Sequence, residues 1–455
     1  MVTTRPPDQA GQATCALHTP SGDAPPRGDG RVPAPRGRRT RRVARLVAHP
    51  GVQALGCLAA AGWAAAFPLL SDLVNQVYWG RFAAPAYLLA AVLCVTLPRG
   101  LAPRAAATAA AIGAVLLPLA ALALKGRHQS EVMVVERGAY LLLHTGSPYL
   151  TDPTHVTDYN PYLPAMALFG LPRAALGAAH PATRLLGDAR LWFAAAFLAC
   201  LLAGWRLLRP TLTRAPILPL AVLTASPLIA LALVVGGVDL PLIGVCCLAM
   251  ALAERGHPVR TGLVLALACT LKWTAWPAVP VALLLLHHRH GLRPALRAGV
   301  LAVTLGCAVI APFALDRTRE LYEQVVRFPL GLTALHTPAG SPLPGKVLAG
   351  LGPLGHTLSL TLLCLGGLAV ALWLLAYPPP TAVAACDLLA AGLTVAFTLA
   401  PAGRFGYLAL PAVLVLWPRL ASTPGRPHPP ADRQSPPPAA AALPRVSPVT
   451  VRTRE

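Results

Sequence analysis

An all-α bundle of membrane-crossing helices is expected for this chain on three grounds. Of its 455 residues, 55% are hydrophobic and only 12% are charged, about half the charged share of a soluble domain. Apolar runs recur that approach the ~20 residues needed to cross a hydrocarbon core ~30 Å thick. The runs are continuous rather than alternating, and helices satisfy their own backbone hydrogen bonds in lipid.

About twelve hydrophobic helices are expected, at residues 51–70, 83–98, 105–124, 191–208, 215–235, 239–254, 261–272, 275–287, 296–314, 354–376, 382–400 and 405–418. They make up a polytopic membrane domain over 46–419. Ahead of it, residues 1–45 are rich in Pro, Gly and Arg and lack hydrophobic periodicity, so a disordered basic cytoplasmic tail is expected. Residues 420–455 read as a second disordered tail, rich in Pro, Ala and Arg. With the basic N-terminus in the cytoplasm, Pro98–Arg104, Arg206–Arg214, Glu254–Arg260 and His287–Arg297 become cytoplasmic segments, each basic or short. The walk then leaves 125–190 and 315–350 as outer loops, with Pro161–Ala179 along the interface. It also makes 261–272 and 275–287 a hairpin of two short helices, with Lys272-Trp-Thr-Ala-Trp276 at its outer tip. The expectation is a multi-pass protein of the plasma membrane with both termini cytoplasmic.

The formal net charge of +21 does not point to nucleic acid. The basic residues gather in the tails and short loops, as the positive-inside pattern of a membrane protein requires. Of the ten cysteines, all but Cys15 fall within hydrophobic runs, and no CxxC or Cys/His spacing is present. They read as small buried residues rather than disulfides or metal ligands.

Ionisable residues at bilayer depth cost roughly 2.5–3.5 kcal/mol and mark function by default. Here they all fall on the outer side. Glu131 and Glu136 lie in a segment that, if helical from Ser130, sets Val132, Val135, Ala139 and Leu142 on one face. Such a helix would lie on the membrane surface and hold a carboxylate suited to general-base work on a sugar hydroxyl. The alternative is that both glutamates face water or pair with Arg127 and Arg137. The turns from Thr145 to Pro164 carry Tyr149, Asp158, Tyr159, Asn160 and Tyr162, whose flat faces and polar groups suit a sugar or, equally, an interfacial aromatic belt. Asp152 and Asp158 form no DxD pair, so neither metal nor nucleotide-sugar use is indicated. Lys272 and Arg404 suit a phosphate; pairing of Lys272 with Asp239 is the structural alternative. Charges at Arg317, Arg319, Glu320, Glu323 and Arg327 read as solvated.

Four places carry a resemblance. They are the acidic first outer loop with Thr145-Gly-Ser-Pro-Tyr149 and Tyr159-Asn-Pro-Tyr-Leu-Pro164, the Gly237-Val-Asp239 break, the segment Gly262–Lys272, and Pro401-Ala-Gly-Arg-Phe-Gly-Tyr407. Over roughly residues 105–418 the chain resembles the GT-C class of polytopic glycosyltransferases, in its actinobacterial, mannosyltransferase-like branch, glycosyltransferase family 87. The resemblance implies transfer of a hexose, mannose for example, from a polyprenyl-phosphate sugar to a lipid-linked or glycan acceptor at the extracytoplasmic face of the bilayer, without a cofactor. It implies a carboxylate of the first outer loop as base, an aspartate in many members and here Glu131 first and Glu136 second. Lys272 and Arg404 would bind the donor phosphate. Tyr149, Asp158, Tyr159, Asn160, Tyr162 and Asp239 would contact substrate. Two helices ahead of residue 105 fall outside the common module. The competing readings are a transporter or flippase gated by Lys272 and Asp239, and a protein of this fold without activity. The lack of an internal repeat and the clustering of polar groups on one side argue against transport.

Overall fold

The computed structural model describes residues 46, 48–210, 216–335 and 337–422. The tail 1–45, where disorder is expected, lies outside them; of the tail 420–455 the first three residues are described and continue a helix, and the rest lies outside. The chain divides into Met1–His49, of which only residues 46, 48 and 49 are described, and Pro50–Glu455. Among the described residues of the second unit there are helices and turns, with one isolated bridge between Gly340 and Gly403.

Fourteen helices matter for the site. We label them α1 Pro50–Leu70, α2 Val74–Thr96, α3 Ala102–Leu124, α4 Ser130–Thr145, α5 Ala189–Leu208, α6 Ile217–Thr224, α7 Pro227–Val235, α8 Leu240–Glu254, α9 Pro258–Leu271, α10 Ala278–His290, α11 Leu292–Asp316, α12 Pro353–Ala376, α13 Ala382–Leu399 and α14 Phe405–Ser422. Each hydrophobic run expected from the sequence is helical over most of its described residues, the run 215–235 as the two helices α6 and α7. Among the described residues, however, eight helices are long and apolar enough to cross a bilayer, or nine if the bent pair α6–α7 is one span. α8 has 15 residues and α9 has 14, so at 1.5 Å per residue they reach only about 21–23 Å. α8 tolerates this because other helices, rather than lipid, cover it, whereas α9 keeps Val259, Leu263 and Leu267 exposed. α8 is buried along almost its whole length and packs against α5, α9, α10, α13 and α14.

α1 and α2 form a hairpin that packs on α3. Trp63, Phe67 and Trp79 stack edge to face between α1 and α2. Two buried side chains of α2 then meet backbone carbonyls where neighbouring helices are irregular. Trp79 donates to Ala114 O at 2.8 Å, within a wide turn of α3, and Tyr87 donates to Ala225 O at 2.7 Å, at the bend between α6 and α7. That bend measures 72° and contains Ser226-Pro227. A carbonyl released by a helix break in lipid must find a donor within the protein, and α2 supplies both.

α4 forms as its apolar spacing requires, with Val132, Val135 and Ala139 buried, Leu142 partly so, and Gly146 closing it at φ +74°. It rests on the tight helical turn Pro164–Gly170. Contact there is close: a Cβ on Gly170 would lie 2.5 Å from Val135 O and 2.8 Å from both Ala139 Cβ and Glu136 Cα. Because two of these are backbone atoms, Gly170→Val should lift α4 from its seat. We expect a loss of about 1–3 kcal/mol from overpacking, read as a lower midpoint of thermal unfolding in detergent; an unchanged midpoint would refute the packing described.

Candidate functional site

Four chain breaks meet at one end of the bundle, and each brings an ionisable side chain. α4 begins just after α3 and carries Glu131. The Gly236–Asp239 break joins α7 to α8. Lys272 follows α9, and Arg404 precedes α14. Glu131, Asp239, Lys272 and Arg404 are separated by up to 273 residues of sequence and form two ion pairs.

Arg404 donates through Nη1 to Glu131 Oε1. Lys272 Nζ donates to Asp239 Oδ1 at 2.7 Å, so the structural alternative foreseen for Lys272 is realised. The glutamate partners are not those foreseen, since Arg127 and Arg137 pair with neither glutamate. Lys272 and Glu131 are mostly covered, with side chains 12% and 18% exposed. Tyr407 and Tyr162 complete the cluster, their ring centroids 4.9 Å and 5.7 Å from Lys272 Nζ. Burial pushes the Glu131 carboxyl above the usual carboxylate range. The Arg404 charge opposes that shift, Asp239 reinforces it and Lys272 opposes it again.

The backbone explains why these groups can approach. α7 ends at Gly236, and Gly237 turns the chain at φ +78°, a conformation glycine adopts without strain. A Cβ on Gly236 would fall 3.0 Å from Glu131 Oε2 and from Gln129 Oε1, so the Glu131 carboxylate lies against bare backbone there. The Arg404 segment is pinned to the loop before it: Ser341 N–H donates to Gly403 O and Gly403 N–H to Ala339 O, both at 3.0 Å.

A cavity of about 380 Å³ opens beside the cluster. Asp239, Lys272, Tyr162 and Tyr407 are among its polar lining and Trp273, Trp276, Leu393 and Phe397 among its apolar walls, while Glu131 and Arg404 stand outside the lining. Its lining is mostly apolar and includes the Lys272–Asp239 ion pair.

The other expected site residues have partners within the loop and its neighbours. Glu136 accepts from Ala189 N–H at 3.1 Å through Oε1 and from Arg173 Nε at 3.2 Å through Oε2, which ties α4 to the start of α5. Tyr149 is buried and donates its hydroxyl to Tyr162 O. Tyr159 stacks on Phe328 with centroids 4.4 Å apart. Asn160 donates to Pro148 O and accepts from Tyr162 N–H, and its own N–H meets Gln324 Oε1. Asp158 accepts from the N–H groups of His155 and Thr154 and from Arg137 Nη1. Burial raises its carboxyl, but these hydrogen bonds and the Arg137 charge outweigh it and hold Asp158 below the usual range. Of the six residues expected to contact substrate, only Tyr162 and Asp239 line the cavity.

Sequence reasoning missed Tyr407, Gln324, Arg173 and Arg190. Tyr407 lay within a quoted motif, and Arg190 sat at the start of an apolar run, where a lone charge was a signal. Gln324 gave none. Glu136→Gln should weaken the tie to Arg173 while keeping an acceptor for Ala189; we expect a loss of about 1–3 kcal/mol, measured as a lower unfolding midpoint than that of the wild type.

A sequence model described as Glycosyltransferase family 87 matches residues 160–428, more than half of the chain. No curated protein and no solved structure matches it, so the roles of its side chains rest on its own geometry. The match spans Tyr162, Asp239, Lys272, Arg404 and Tyr407 and starts after Glu131. With its membrane-length helices, the chain belongs to glycosyltransferase family 87 and is a membrane glycosyltransferase.

Proposed function

We propose that the protein transfers a hexose, mannose being the first to test, from a polyprenyl-phosphate sugar to a lipid-linked or glycan acceptor at the extracytoplasmic face of the plasma membrane. The observation that carries this reading is the cavity, whose mostly apolar lining also holds Lys272 and Asp239. A polyprenyl phosphate has the matching form, an apolar tail and an anionic head. Lysine and arginine in a water-poor site bind a phosphate strongly.

In the proposed reaction the donor phosphate draws Arg404 away from Glu131 and sits between Arg404 and Lys272. Glu131, freed, takes the proton of the acceptor hydroxyl as its oxygen bonds to the sugar's anomeric carbon. The bond from that carbon to the phosphate oxygen breaks, and the lipid phosphate leaves with the electron pair, its charge met by Lys272 and Arg404. Tyr162 and Tyr407 flank Lys272 and supply flat faces for a sugar. Glu136, the second candidate base, is occupied by Arg173 and Ala189 N–H, which favours Glu131.

The decisive assay incubates purified protein with radiolabelled polyprenyl-phosphate mannose and membrane lipids. A labelled glycolipid or glycan is expected; its absence with each hexose donor tried would remove the proposal. Glu131→Gln should lower the rate about 10²–10⁴-fold with expression intact, and a fully active Glu131→Gln enzyme would reject Glu131 as base. The sign of the pH dependence follows from the raised Glu131 carboxyl. The base works only when ionised, so the rate should climb with pH through a midpoint above the ~4.3 of a free glutamate. A pH–rate profile already flat from pH 4.5 upward would contradict this.

A further inference from the structure

We infer that Arg190 is a positioning residue for the charged cluster: by holding the Val234 carbonyl it fixes the backbone break that carries Asp239 and against which Glu131 rests. The inference deepens the transferase reading and rests on it.

Arg190 is wholly buried in the first turn of α5. Its Nε and Nη2 donate to Asp188 at 2.8 Å and 2.6 Å, and its Nη1 donates to Val234 O at 2.5 Å. Capping α5 does not require this guanidinium. Asp188 Oδ1 already accepts from Arg190 N–H at 3.0 Å, and Glu136 takes Ala189 N–H. What the cap leaves unexplained is the bond to Val234.

That bond lies where the backbone most needs it. The last carbonyls of a helix have no donor within it, and the chain turns away at Gly236 and Gly237 before α8 begins. The Val234 and Val235 carbonyls, at the end of α7, are taken by two other parts of the chain: Arg190 holds the first, and Gln129 N–H the second at 2.8 Å. Gln129 stands two residues before Glu131, and Val234 five before Asp239. One clamp therefore sets the distance between the Glu131–Arg404 and Asp239–Lys272 pairs. A planar fork reaches Asp188 and Val234 together, which a lysine ammonium does not.

The test uses the full chain in nanodiscs as wild type, Arg190→Lys, Arg190→Met and Asp188→Asn. One measurement is transfer from radiolabelled polyprenyl-phosphate mannose, normalised to folded protein. The other needs no turnover: carbodiimide modification of Glu131 against pH, located by mass spectrometry. The charged groups facing Glu131 are Arg404, Asp239 and Lys272, with the Tyr162 and Tyr407 hydroxyls beside them, and their spacing sets its titration. In Arg190→Lys, which keeps the charge beside Asp188, we expect kcat to fall about 10- to 100-fold, donor KM to stay within about threefold, and the pH of half-modification of Glu131 to move. Arg190→Met should show the same with a lower folded yield, and Asp188→Asn a smaller shift in the same direction. If the Arg190 variants keep the wild-type kcat and modification profile, with only folded yield reduced, Arg190 is structural and the inference is overturned; Arg190→Lys and Asp188→Asn decide it where Arg190→Met gives no folded protein. If the wild type transfers no mannose, and none of the other hexose donors, the transferase reading falls instead, while the modification profiles still decide whether Arg190 places Glu131.

Discussion

Two carboxylates and two cations share one poorly hydrated end of the helix bundle, and their mutual compensation is the constraint on which the rest depends. Any one of them alone would carry a large desolvation penalty. Paired as Glu131 with Arg404 and Asp239 with Lys272, they leave the cluster close to neutral. Such pairing stores no large net stability, because each contact must first offset the loss of water. What it provides is polar groups already fixed beside an apolar cavity, where an incoming anion meets oriented donors instead of mobile solvent.

The helices are interrupted so that the charges can meet. A continuous helix through Gly236–Asp239 would carry Asp239 around the cylinder and seal the backbone donors and acceptors inside it. Breaking it exposes carbonyls that lipid cannot satisfy. The chain answers with long-range donors: Arg190 for Val234, Gln129 for Val235, Tyr87 for the bend at Ala225, and Trp79 for the wide turn at Ala114. The hairpin α1–α2, which lies ahead of the stretch matched to the family, thus braces a span that leads directly to Asp239.

Legibility in the sequence followed the range of the forces involved. Hydrophobic length and the spacing of Val132, Val135 and Ala139 are local, and the helices they announce are present, α4 among them. Lys272, Arg404 and Asp239 stood out because a charge at the end of an apolar run is conspicuous, and Glu131 because it sits in a segment with a helical apolar spacing. The partners of Glu136, Tyr149, Asp158, Tyr159 and Asn160 were not legible. A carboxylate or a tyrosine in a polar loop looks alike whether it meets substrate or a backbone N–H, and the difference lies in partners such as Arg173, Phe328 and Gln324 far along the chain. Fewer of the expected helices are of membrane length, eight or nine among the described residues, since α8, α9 and α10 are short, and the cover that neighbouring helices give α8 cannot be read along the chain.

By itself, then, the amino-acid order determined the class of molecule: a helical membrane protein, with its charges confined to the ends of apolar runs by the cost of putting them elsewhere. Only the tertiary structure decided which charges are partners, which glutamate lies against the bare backbone of Gly236, and which tyrosines face the cavity. Periodicity and hydropathy act between near neighbours, so they can be read along the chain. The cluster's ion pairs and backbone clamps join residues 33 to 273 positions apart, and they exist only once the helices have packed.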